Sequence, residues 1–250
     1  MSLPDIPTLT LVVILVAFII GGMVKGALGG GLPAVGLPIL VLQLEPAQAV
    51  VLFVAPVILS NIWQIKQAGQ SLPAVKRFWP FLVTLVIGVW IGAGALTSLD
   101  PKTIALALGC LVIVTTLAQV FIREVKALKG RSGFINPFAG AAIGLCGGAT
   151  GVFTPVIVYF AALRLPKDLF VAQMAIAAMT GSIPLYLRLV AEDHLSWTQL
   201  GASFLALIPT GVGLIIGFWI RDRISEETFR RAVLVGLVLL GGGLIWRGLS

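Results

Sequence analysis

A chain of 250 residues that is 58% hydrophobic and 11% charged, with a mean hydropathy of +1.07, lies far from soluble composition, where about a quarter of residues are charged. Its net charge of +7 does not signal nucleic acid, because the Lys and Arg residues sit in short loops between apolar runs, as the positive-inside rule produces. Composition therefore predicts an all-α polytopic membrane protein with no nucleic-acid partner. Cys110 and Cys146 both lie in apolar segments, at a spacing that builds neither a metal site nor a disulfide framework, so no metal or cofactor is expected.

Residues 1–10 contain no Lys or Arg, so the first apolar segment is expected to stay in place rather than be cleaved as a signal peptide. Residues 9–44 are too long for one untilted helix at ~1.5 Å per residue and are broken by glycines, which predicts two shorter helices. Three plainer spans follow, at about 47–65, 78–98 and 103–122, closing a first repeat over residues 1–122. A basic connector, 123–133, divides the chain. The second repeat, 134–250, opens with another glycine-broken stretch, 134–163, and continues with spans at about 169–187, 200–220 and 228–246.

The two breaks carry the internal likeness. KGALGGGLPAVGLP at 25–38 and AIGLCGGATGVFTP at 142–155 align at a shift of 117, which sets Leu28 on Leu145, Gly30 and Gly31 on Gly147 and Gly148, and Pro38 on Pro155. Further along, Pro46 matches Pro166 at a shift of 120, and Gly88, Gly92 and Thr103 match Gly213, Gly217 and Thr228 at 125. Loop charges then choose the topology. If each broken element crosses the bilayer once, Lys and Arg divide nine to seven; if it returns to its starting side, they divide thirteen to three, Lys25 being left out of both counts. The second division fits the positive-inside rule, and it predicts two inverted repeats with both termini outside. Each repeat is then a re-entrant hairpin, or a pair of short helices, plus three transmembrane helices.

Non-helical backbone within a membrane is tolerated only where protein buries it or water lines it. A helix restarting after such a break presents free N–H groups and the positive end of its dipole, an anion-binding arrangement. Pro33 suits the first turn of one restarted helix, and Thr150 is expected to cap the other. All ten acidic residues fall in tails, loops or span ends, whereas Lys25 lies deep beside the first glycines. A bound anion or a water-filled cavity would explain that position; the plainer alternative is a lysine that ends a short helix and snorkels to water. Cys146, at the place of Gly29, is either a weak thiol donor to the anion or a small hydrophobe. Ser60, Asn61 and Gln64, and on the counterpart span Gln173, Thr180 and Ser182, are either further ligands or helix-to-helix hydrogen bonds. His194 reads as a solvated loop residue, and the glycines at 241–243 as close helix packing.

GALGGGLPAVGLPIL at 26–40 and GLCGGATGVFTPVIV at 144–158, each opening one half of a chain of this length, resemble the sulfite exporter TauE/SafE family, also described as the 4-toluene sulfonate uptake permease group. The second motif departs from the family's tendency to a third glycine by carrying Ala149. The resemblance implies a secondary carrier in the cytoplasmic membrane for sulfite, thiosulfate, sulfonates or related organosulfur anions. The expectation is thus alternating access around a midplane site, with the anion on Lys25, Gly29, Gly30, Gly31, Asn61, Cys146, Gly147, Gly148, Thr150 and Thr180. The rival readings are an anion channel, a membrane-embedded enzyme, disfavoured because no His or carboxylate lies at depth, and a non-transporting assembly protein.

Overall fold

The computed structural model describes residues 7–69, 71–121 and 132–250, and among these every regular element is a helix. Most of the basic connector, residues 123–131, lies outside the described residues. The first half comprises α1 (Thr8–Leu28), α2 (Leu32–Val41), α3 (Pro46–Val51), α4 (Val54–Ala68), α5 (Ser71–Ser98) and α6 (Pro101–Phe121). The second comprises α7 (Ser132–Thr150), α8 (Thr154–Ala162), α9 (Lys167–Ala191), α10 (Trp197–Leu205), α11 (Leu207–Arg221) and α12 (Glu226–Leu249). Six stretches among the described residues are long and apolar enough to cross a membrane: Thr8–Leu28, Pro73–Ser98, Pro101–Phe121, Asp168–Ala191, Trp197–Arg221 and Glu226–Leu249. Large apolar side chains such as Val83, Ile87 and Ile91 of α5 and Ile215 and Trp219 of α11 face outward, a surface that lipid covers.

The broken elements are unequal hairpins rather than pairs of short helices. α1 has 21 residues, about 31 Å at the helical rise and enough to span, while α2 has 10 and reaches about half as far. α2 runs back along α1: a Cβ on Gly21 would lie 2.7 Å from the Leu32 carbonyl oxygen, and one on Gly36 would lie 3.0 Å from that of Ala17. α7 and α8, of 19 and 9 residues, repeat the lengths.

The halves interlock by exchange. α11 lies beside α1 in the same direction, since a Cβ on Gly213 would come within 2.2 Å of the Ile19 carbonyl oxygen and one on Gly217 within 2.3 Å of that of Met23. In the other half α5 lies beside α7, also in the same direction, since a Cβ on Gly88 would come within 2.4 Å of the Ala141 carbonyl oxygen and one on Gly92 within 2.2 Å of that of Leu145. Glycines matched in the sequence at a shift of 125 therefore do one job, letting backbones touch where a side chain would separate them. The same contacts put Ile19, Met23 and Ala27 where Ala141, Leu145 and Ala149 stand, a shift of 122 for α1 on α7 rather than 117. At the far end of the bundle, Lys102 Nζ donates to the Ser250 carbonyl oxygen at 3.0 Å and the Arg247 guanidinium donates to that of Val41. The start of α6 and the ends of α2 and α12 thus share one end.

Two of the expected spans are interrupted. α3 and α4 part at Leu52 and Phe53, four and three residues before Pro56, whose ring excludes the Leu52 carbonyl from the helix. The Ser203 hydroxyl repairs the gap from another helix, donating to the Leu52 oxygen at 3.1 Å and accepting from the Ala55 N–H at 2.8 Å. α10 and α11 part at Ala206, three residues before Pro209. α5 is bent at Phe78, with φ −118° and ψ 17°, two residues before Pro80. In α9, by contrast, the helix runs on through Pro184.

Candidate functional site

The first break is made by Gly29 and Gly31, whose φ values of 77° and 97° lie where L side chains are strained. α1 closes with the Gly29 N–H on the Lys25 carbonyl at 2.8 Å. α2 restarts at Leu32 with Pro33 in its first turn, and the Val35 N–H takes the Gly31 carbonyl at 3.2 Å. The N–H groups ahead of Val35 have no intrahelical acceptor, so the positive end of α2 is presented at Gly30 and Gly31. A Cβ on Gly30 would meet no atom within 4 Å, which marks that residue as the open edge of the turn.

α4 clamps this turn. Lys25, one turn before the break, is buried at 9% exposure, and its Nζ donates to Asn61 Oδ1 at 2.8 Å. Gln64, one turn further on, donates its amide to the Gly29 carbonyl. Among the described residues no carboxylate pairs with Lys25. A buried cation held by a neutral amide keeps an uncompensated charge, which an incoming anion would neutralise.

The second break lies at residues 151–153. Gly151, with φ 73°, closes α7 by its N–H on the Gly147 carbonyl at 2.8 Å, as Gly29 closes α1. α8 restarts at Thr154 with Pro155 in its first turn. Pro155 therefore stands where Pro33 does, again at a shift of 122. Cys146, Gly147 and Gly148, expected at this tip, instead lie within α7. Cys146 is exposed, and Gly148 packs on α5, 2.4 Å from the Val89 carbonyl oxygen as judged at its Cβ position. Their amides belong to the helix ladder and are not offered to a ligand. Thr150 does not cap α8: its hydroxyl donates to the Cys146 carbonyl at 2.7 Å and accepts from the Val152 N–H at 3.3 Å, which finishes α7. Thr180 is half-buried on α9 and lines neither cavity described below.

Both breaks converge on one small cavity of about 60 Å³, lined by Lys25, Gly29, Gly30 and Gly31 from the first and by Phe153 and Thr154 from the second. Asn61, Gln64 and Ser182 reach it from α4 and α9. A larger cavity of about 480 Å³ adjoins it, sharing Gly29, Gly30, Gly31, Thr154, Ile157 and Met174. Of the expected site residues, Lys25, the three glycines and Asn61 are brought together; Cys146, Gly147, Gly148, Thr150 and Thr180 are not. Phe153, Thr154 and Met174 were not foreseen, although the run GVFTP at 151–155 set against GGGLP at 29–33 holds the signal. Gln173 is fully buried with neither amide atom partnered among the described residues, and it lines neither cavity.

Comparison with curated proteins and with solved structures finds no match. A family model does match: that described as Sulfite exporter TauE/SafE, over residues 13–244. That covers nearly the whole chain, including both breaks and every residue around the small cavity. The chain belongs to the sulfite exporter TauE/SafE family, a family of membrane transporters of sulfur anions.

Proposed function

We propose that the protein is a secondary carrier of a small sulfur-containing anion, bound in the cavity between the two helix breaks and exposed to each side of the membrane in turn. The observation that carries this reading is Lys25: buried, held by the Asn61 amide, without a carboxylate partner among the described residues, and beside the positive end of α2. An oxyanion placed there gains a full charge and free amides in a setting shielded from water.

An inverted relation of the halves is supported by the run of the chain: α2 finishes at the end that holds the start of α6, so α1 begins there, whereas α7 runs with α5, which finishes there, and so begins at the opposite end. Lys102, Arg188 and Arg247 sit at the end that holds the last turn of α12, whereas Lys66, Arg77, Arg221 and Arg231 lie at the other. The positive-inside rule makes that richer end cytoplasmic and both termini outer, in a cell membrane. In the state described, the large cavity adjoins the starts of α9 and α12 and so faces the cytoplasmic end. Toward the other end the Phe153 ring is wedged between Gly147 and Gly181, 2.4 Å and 2.6 Å from their Cβ positions. Rocking of one half against the other would free that ring and close the opposite face.

The test is uptake of radiolabelled sulfite and thiosulfate by proteoliposomes. Saturable uptake that Gly30→Leu blocks, with the variant still folded, is the expected result. Uptake that never saturates would replace the carrier with a channel, and full activity in Gly30→Leu would remove the glycine turn from the path.

A further inference from the structure

We infer that the corner joining α8 to α9 is the cytoplasmic gate of the carrier, and that it closes on the start of α12 by pairing Arg164 with Glu226. This rests on the proposed exposure of the site to each side in turn. The ground is a contact made at one end of the molecule and missing at the other. At the outer end, α2 and α3 both rest on α6. The Arg247 guanidinium holds the Val41 carbonyl at the corner between α2 and α3, and a Cβ on Gly243 would stand 3.6 Å from Leu42 Cδ2. Leu40 and Val41 on one side, and Ile104, Ala105 and Leu108 on the other, are all buried.

The second half holds the same parts in another arrangement. α8 starts at a shift of 122 from α2, and α12 at a shift of 125 from α6, so the α8–α9 corner and the first turns of α12 are the counterparts of that contact. Here the two sides stand apart across the cavity of about 480 Å³, with Ala161, Arg164 and Phe170 on one wall and Glu226, Arg230 and Val233 on the other. Phe229, Arg230 and Val233, which answer to Ile104, Ala105 and Leu108, are only half-buried. A carrier of inverted halves changes sides when the halves exchange arrangements, so closing this cavity and opening the outer contact are one movement. Opposite charges face each other across the gap. Arg230 is met by both Glu227 oxygens and donates to the Gln119 carbonyl, whereas Glu226 holds no ion pair or side-chain hydrogen bond among the described residues. Arg164 is the cation on the facing wall. An ion pair at such a rim is weak, which suits a gate that must reopen in every cycle.

Charge reversal in the full-length protein tests this. Arg164→Glu and Glu226→Arg each set like charges across the gap, and each should lower the maximal rate of sulfite uptake about tenfold while stabilisation of the purified protein by sulfite against heat persists. The double variant should recover most of the rate. Leu108→Cys, in protein whose Cys110 and Cys146 are replaced by alanine, reports the outer opening through its reaction with a polar maleimide in the absence of sulfite. That labelling should slow about tenfold in either reversal and recover in the double variant, whereas Val233→Cys, on the wall already open, should react as before. Arg164→Gln and Glu226→Gln remove one charge without adding repulsion; they should give smaller losses in both measurements and serve if a reversal fails to fold. Uptake and labelling indifferent to these charges, or losses that the double variant does not restore, overturn the gate and spare the carrier reading so long as the parent's uptake saturates and depends on Lys25. A parent without saturable uptake overturns both.

Discussion

The two helix breaks are built on one plan and furnished in opposite ways. At the first, Gly31 leaves the space beside the turn free of a side chain, and Lys25 on α1 reaches across to Asn61 on α4. At the second, the positions of Lys25 and Asn61 are held by Gly147 and Gly181, at shifts of 122 and 120, and the position of Gly31 is held by Phe153. The Phe153 ring lies against both of those glycines, filling the volume that the hydrogen-bonded pair fills in the other half. A duplicated scaffold thus supplies two equivalent pockets; charge occupies one and an aromatic ring occupies the other. The substitutions come as a set, since a ring at position 31 would need glycines facing it, and a lysine at 147 would strike Phe153. On the proposed function, one half of the site binds while the other closes it.

The largest effect that separates the halves is expected from Lys25→Met. Removing one partner of a buried, hydrogen-bonded charge costs about 2–5 kcal/mol of binding, roughly 30-fold or more in KM for sulfite uptake. Thermal stability of the empty protein should hold or rise, because a buried charge without a countercharge is replaced by a shape-matched apolar chain. Loss of transport together with loss of stability would make Lys25 a structural residue. Phe153→Ala follows, at about 2–3 kcal/mol of stability, below the ~3–5 of a fully buried ring because Phe153 is only half-buried. Its added signature is a leak: efflux of preloaded sulfite that rises in proportion to concentration instead of saturating. A tight vesicle with this variant would remove Phe153 as the closing element.

The scaffold beneath the two breaks should respond equally. Gly88→Val and Gly213→Val each drive a side chain into the backbone of the neighbouring hairpin, where a Cβ alone would stand 2.4 Å and 2.2 Å from a carbonyl oxygen. Overpacking of this kind costs about 1–3 kcal/mol, and the two variants should agree within a few tenths in thermal denaturation. A large difference would mean that the halves share a sequence pattern without sharing a packing role.

Membrane class was readable because it follows from composition, and the glycines of α5 and α11 stood out as evenly spaced matches, although their role as points of backbone contact did not. The first break was readable because three glycines in a row before Leu32-Pro33 can do little inside a helix. The second was misplaced by a few residues for a physical reason. Glycine serves both turns and close helix crossings, and Gly147-Gly148 looks like a turn until α5 is seen against Gly148. Proline is the better ruler, since it tolerates the start of a helix and little else nearby. Aligning Pro33 with Pro155 puts Gly22, Gly26 and Gly29 on Gly144, Gly148 and Gly151, and exposes Phe153 and Thr154 as the residues at the tip. The pairing of Lys25 with Asn61 depends on the placement of α4 against α1, which no spacing within one segment encodes.

The smallest effect separates the breaks that face the cavity from those that the protein mends. At the start of α4, Pro56 frees backbone groups much as the glycines do at the tips, yet the Ser203 hydroxyl meets both the Leu52 carbonyl and the Ala55 N–H. A break satisfied by its own chain has nothing left for a ligand. Ser203→Ala should therefore cost about 1 kcal/mol in thermal denaturation and leave KM for sulfite unchanged. The comparison is sharpest against Thr154→Val, a hydroxyl deletion that should lose affinity and little stability, since its hydroxyl makes no hydrogen bond among the described residues. If the two variants exchanged signatures, the distinction between mended and open breaks would fail, and with it the ground for placing an anion at the glycine turns.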